Sequence, residues 1–100
     1  MIVLQIDFPS SGPFGTQMTE AFTALAQDIQ QEAGLIWKIW TENEEEHTAG
    51  GIYLFNDEAL ARQYLDKHTA RLQSFGIQDI RSKVFTVNEA LSAINGFSLA

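Results

Sequence analysis

The side chains best suited to chemistry in this chain are few: two histidines, two tyrosines and two tryptophans, with no cysteine. His68 falls within an apolar helical stripe. Its ordinary pKa of about 6.5 suits proton transfer near neutral pH, although a histidine in such a place is commonly a satisfied core residue. Tyr64 lies four residues earlier and shares that helical face. Tyr53 falls in an apolar strand, where a buried hydroxyl needs a partner and a substrate oxygen would serve. His68, Tyr53 and Tyr64 are therefore the catalytic candidates. Trp37 and Trp40 are an odd step apart, so a regular strand points them to opposite faces. One packs, and the other can wall a pocket for a flat ligand. Trp40, Trp37 and Phe55 are the substrate-binding candidates.

Other patterns are weaker. His47 follows Glu44, Glu45 and Glu46. A histidine beside carboxylates can bind a metal ion, but a charge run in a loop is more simply solvated surface, and no metal site is expected. The string GPFG lacks the lysine of a phosphate-binding loop and the spacing of a dinucleotide fingerprint. No Ser/His/Asp signature stands out. Absence of cysteine excludes disulfides, thiolate catalysis and cysteine-ligated clusters. Arg62, Lys67 and Arg71 flank the His68 helix as a solvated face, with Arg71 able to neutralise an anionic ligand.

The elements that position these residues follow from periodicity. Ile2, Leu4, Ile6 and Phe8 alternate with Val3, Gln5 and Asp7, which predicts a strand. PSSGPFG is loop chemistry. Thr16, or else Thr19, is placed to cap a helix running to Glu32, with Met18, Phe22, Leu25 and Ile29 as its apolar stripe and Gly34 closing it. LIWKIWTEN predicts a second strand; Asn43 to Thr48 a loop; IYLF, after Gly50 and Gly51, a third strand. Asn56 is placed to cap a second helix with Ala61, Leu65, His68, Leu72 and Phe75 along its stripe and Gly76 at its end. A fourth strand is predicted over about 79–87, then a short helix capped by Asn88. The order β-α-β-β-α-β with a C-terminal helix predicts one α+β, ferredoxin-like domain over residues 1–100, with an antiparallel sheet.

Right-handed crossovers put both long helices on one side of that sheet. The second and third strands are nevertheless apolar on both faces, Leu35, Trp37 and Ile39 alternating with Ile36, Lys38 and Trp40. A half-solvated sheet shows polar residues on one side, and large exposed apolar patches mark interfaces. A second copy covering the open face, making a homodimer, is the simplest expectation; the alternative is the terminal helix folding back over it.

Hydrophobic residues are 45% of the chain, as in ordinary globular domains, and the formal net charge is −7. Phosphate backbones and anionic membrane surfaces would repel such a protein, so neither is an expected partner. MIVLQIDF is no signal peptide and no run is long enough to span a membrane, so a cytoplasmic protein is expected.

Several strings taken together resemble a known family. GPFG, LIWKIWTE, AGGIYLF, YLDKHTARL and KVFTVNEALS look, in order and over nearly the whole chain, like the YdhR-type putative monooxygenases. The resemblance implies the dimeric α+β barrel superfamily, which includes the antibiotic-biosynthesis monooxygenases. It also implies cofactor-independent oxygenation of a small aromatic or phenolic compound by molecular oxygen, in a cavity between sheet and helices. Related quinone-forming enzymes use Trp, Tyr, Asn and Arg side chains there. Another branch degrades haem with a helix-borne histidine, a part His68 resembles; an asparagine expected in the first strand is replaced by Asp7. Two alternatives remain: a non-catalytic small-molecule-binding dimer, or a haem-binding protein of the same superfamily.

Overall fold

A computed structural model of the chain describes residues 1–97. The elements are β1 (Ile2–Pro9), α1 (Gly15–Ile29), β2 (Leu35–Asn43), β3 (Thr48–Phe55), α2 (Glu58–Ser74), β4 (Arg81–Thr86) and α3 (Glu89–Ile94). The strands form one sheet in the order β2-β3-β1-β4, every neighbouring pair antiparallel. This is the expected ferredoxin-like α+β fold. Among the described residues no helix is long and apolar enough to cross a membrane.

Local chemistry explains where the boundaries depart from expectation. No threonine caps α1; Phe14 holds the cap position without a side-chain bond. The donor is satisfied from the sheet instead, because Glu42 Oε1 on β2 accepts from the Gly15 amide at 2.7 Å. A carboxylate at a helix N-terminus also suits the helix dipole. α1 ends at Ile29 rather than Glu32, and Gly34, with φ +82°, turns the chain into β2. Asp57, not Asn56, caps α2 by accepting from the Ala59 amide at 2.8 Å. β4 starts at Arg81 because Asp79, with φ 55°, leaves the extended region. Asn88 caps α3 as expected, accepting from the Leu91 amide, and Gly76 follows α2 with φ +86°.

The sheet's inner face carries the core. Ile2, Leu4 and Ile6 from β1, Tyr53 and Phe55 from β3, Ile29 from α1, and Ala61, Tyr64 and Leu72 from α2 form one buried cluster. Burying each large apolar side chain stabilises the fold by roughly 1.5–3 kcal/mol. Tyr64 takes the core place expected of Leu65, and Phe75 is exposed.

A bulge between Leu35 and Trp37 resets the alternation of β2. Leu35, Lys38 and Trp40 all lie on the helix side, opposite Phe55, Tyr53 and Gly51. Trp37 and Ile39 lie on the open side, opposite Leu54 and Ile52. Grouping Leu35 with Trp37, as strict alternation does, is therefore corrected. On the open face, Trp37, Leu54, Val3 and Phe85 form one apolar row across all four strands. The next row reads Ile39, Ile52, Gln5 and Lys83, and the third ends in Asp7 and Arg81, whose Nη2 and Oδ1 pair at 2.7 Å. Ile39 and Phe85 remain 52% and 47% exposed. α3 leaves its own Leu91 and Ile94 in solvent.

Candidate functional site

Between the inner face of the sheet and the two long helices lies a pocket of about 590 Å³. That size suits a small organic ligand. The α1 stripe explains its existence. Met18, Phe22 and Leu25 face the sheet as the periodicity requires, and they line the pocket left between α1 and the strands. The β1–α1 loop, from Pro9 to Pro13, and the segment from Phe75 to Asp79 form the rest of its rim. Ile6, Lys38, Trp40, Gly51, Tyr53 and His68 line its floor and back.

Gly51 makes the floor possible. A Cβ built there would lie 2.7 Å from Lys38 Cε and 3.2 Å from the Tyr53 ring. The missing side chain lets the Lys38 stem cross the strand. Lys38 Nζ then stands 3.4 Å from the centroid of the Trp40 ring and 4.8 Å from that of Tyr53. Such cation–π contacts offset part of the lost hydration. Trp40 is itself stacked on Phe22 of α1, with centroids 6.1 Å apart. Burial, reinforced by the Arg71 charge, lowers the Lys38 pKa from 10.5 to about 7.

Behind the floor, Tyr53, Tyr64 and His68 form an aromatic cluster. Tyr64 lies 5.0 Å from Tyr53 and is stacked on His68 at 5.1 Å; Tyr53 meets the imidazole edge-on at 6.2 Å. Arg71, one turn after His68, donates to His68 Nδ1 from Nε at 3.2 Å and from Nη2 at 2.9 Å. Its remaining arm reaches Asp28 of α1 at 3.0 Å. Guanidinium is always a donor, so Nδ1 must present its lone pair and the neutral ring carries its proton on Nε2. Desolvation first, then the Lys38 and Arg71 charges, depress the His68 pKa to about 3. His68 is thus a fixed neutral hydrogen-bond donor and a poor proton acceptor. Burial raises the Tyr53 phenol far above its ordinary range and the Tyr64 phenol to about 12. Both are neutral phenols at physiological pH. The Tyr64 hydroxyl is buried, and although Tyr53 and Arg71 are its polar neighbours, it makes no hydrogen bond among the described residues.

Of the residues singled out in the sequence, Tyr53, His68 and Trp40 line the pocket. Tyr64 stands behind Tyr53 and His68. Phe55 is fully buried at the end of the inner face, against Tyr53 and Tyr64. Trp37 lies on the opposite side of the sheet. Lys38 escaped the sequence reading. Its signal was a single charge inside LIWKIW, a strand with no other polar residue before Thr41. His47 sits in the β2–β3 turn, and no cluster of three or more His, Asp or Glu among the described residues could hold a metal ion.

A family model described as putative mono-oxygenase ydhR matches residues 3–97. Among solved structures, a putative antibiotic biosynthesis monooxygenase from Deinococcus radiodurans superposes with a TM-score of 0.64 at 12% identity, covering 88% of this chain and 93% of that one. A variant of SnoaB, a cofactor-independent oxygenase from Streptomyces nogalater, superposes with a TM-score of 0.57 at 14% identity, covering 87% and 93%. At these identities the likeness is one of fold. No curated protein matches the sequence significantly.

Proposed function

The chain belongs to the ydhR family of putative mono-oxygenases, and from that premise we propose that it oxygenates a small phenolic aromatic, without metal or flavin, as a homodimer. The observation that carries the reading is the pocket itself. Its walls are aromatic, through Trp40, Tyr53, Phe22 and Phe8; Lys38, Tyr53 and His68 are the polar side chains of its floor and back, and Ser10, Ser11, Gln78 and Asp79 those of its rim. A flat ring fits such walls. Tyr53 and His68, both neutral, are placed to donate hydrogen bonds to an oxygen that gains negative charge. SnoaB, a fold neighbour, is a cofactor-independent oxygenase. In the proposed reaction an ionised phenol meets molecular oxygen; one oxygen atom enters the ring, the other leaves as water, and the substrate supplies the electrons.

The homodimer rests on the open face. A continuous apolar row ends there in half-exposed Phe85, with half-exposed Ile39 in the row beside it, and such a surface calls for a second cover. The haem reading fits less well. Ligating iron through Nε2 would push the His68 proton onto Nδ1, where two Arg71 donors already point.

Oxygen uptake by the purified protein, across a panel of hydroquinones and naphthols, tests the proposal. Uptake with matching quinone formation, reduced at least about tenfold by Tyr53→Phe, is expected. Tight binding with no oxygen uptake anywhere in the panel would replace it with the reading of a non-catalytic binder.

A further inference from the structure

One group on the pocket floor has no task in that scheme, the Lys38 amine. The chain has three lysines. Lys67 pairs with Glu32 at 2.6 Å. Lys83 stands exposed on the open face of the sheet. Lys38 alone lines the pocket, and among the described residues it makes no ion pair. Its surroundings are the ring faces of Trp40 and Tyr53 on the sheet, and from α2 the Arg71 guanidinium and neutral His68. α1 contributes only the apolar Met18, Phe22 and Leu25 to the pocket. Asp79, on the rim, is the one carboxylate among the pocket's lining residues, and among the described residues it makes no ion pair with Lys38, so no carboxylate holds an ammonium in place and the amine is ready to exist without its extra proton.

We propose that Lys38 is the base that ionises the substrate, taking the proton of a phenolic hydroxyl and leaving an ammonium–phenolate pair on the pocket floor. Its place in a reaction rests on the oxygenase reading; the proton transfer itself does not. The substrate O–H bond breaks, an N–H bond forms on Nζ, and the electron pair stays on the phenolic oxygen. The pocket's net charge is unchanged and no other reactant takes part. Opposite charges attract strongly in a site with little water. Arg71, whose charge repels the ammonium in the empty pocket, attracts the anion once it forms. The donors of Tyr53 and His68 remain to hydrogen-bond it. The amine's lowered proton affinity agrees with this use, and His68, whose Nδ1 is taken by Arg71, is no competitor for the proton.

The test uses para-nitrophenol, which is colourless as the phenol, yellow as the anion, and inert to oxygen. It is titrated into the purified protein at a pH where the free probe is mostly protonated. The expected result is a bound probe ionised at least about tenfold more than the free probe at the same pH, with the excess lost in both Lys38→Met and Lys38→Gln. A wild-type protein that binds the probe with the ionisation of free solution, or does not bind it, overturns the inference, and so does an excess that survives both substitutions. The wild-type spectrum decides alone should neither variant fold. Because the probe takes no part in oxygen chemistry, ionisation without oxygen uptake by any substrate would remove the oxygenase and keep the base. Oxygen uptake without ionisation would do the reverse.

Discussion

The two faces of this sheet are built from the same kinds of residue and differ in what happens to the polar ones. On the helix side the rows across the strands read Leu35, Phe55, Ile2 and Thr86; then Lys38, Tyr53, Leu4 and Val84; then Trp40, Gly51, Ile6 and Ser82. On the open side the polar residues gather at one end, where Asp7 and Arg81 satisfy each other in reach of water. On the helix side Lys38 and Tyr53 lie side by side in an otherwise apolar row, roofed by helices, and among the described residues neither makes an ion pair. Apolar content alone makes the two faces look alike. The pairing of their polar groups separates a surface awaiting a cover from a surface built around a ligand.

The contrast can be broken most forcefully at one residue on each face, taken from the neighbouring strands β3 and β2. Phe55→Ala, on the helix side, removes a fully buried ring and should cost about 3–5 kcal/mol in urea unfolding. A loss under about 1 kcal/mol would mean that the inner face is not the core it looks. Ile39→Glu, on the open side, should leave the fold of the single subunit intact while weakening self-association about 100-fold or more, equivalent to about 2.7 kcal/mol. Sedimentation over a concentration series reads this directly, and an unchanged association constant would clear the open face of any part in dimer formation.

The smallest effect sharpens the comparison through pH. Lys38 holds its proton less tightly when folded, with a pKa of about 7, than when unfolded, near 10.5. Unfolding therefore takes up a proton between those values, so stability rises with pH across that window, and below about 7 both states are protonated and the penalty is full. Between pH 7 and about pH 9 the wild-type melting midpoint should climb by roughly 10 °C relative to Lys38→Met. Replacing Lys83, on the open face, by Met should leave that slope as it is. Parallel curves for wild type and Lys38→Met would show that the amine is hydrated in the folded protein.

Much of the fold was legible in the sequence because it depends on period. Alternation marked β1, and the spacing of Met18, Phe22, Leu25 and Ile29 marked α1, whatever lay opposite them. In β2 alternation gave the facing from Trp37 to Trp40 but not that of Leu35, because one inserted residue at the bulge shifts the parity and leaves no local trace. The α1 cap was hidden for a similar reason: Glu42, 27 residues away, supplies the acceptor. In the site, His68 and Tyr53 stood out by type, and Trp40 by type and parity. Lys38 did not, since a lysine in a strand is ordinarily surface, and only the roof formed by α1 and α2 makes it otherwise. Neither did the role of Arg71 as the group that fixes the His68 tautomer, which depends on a helical turn and an Asp28 arm meeting in space.

Gly51 carries no functional group, yet it decides whether the pocket has a chemical handle. Adding a single methyl at that position would lift the lysine stem off the strand and swing the amine away from both rings beneath it. A catalogue of reactive side chains passes over this residue. The reactivity of its neighbour is nonetheless written in that empty space, so among relatives of this chain a side chain at the equivalent point would signal a different use of the cavity even where the lysine persists.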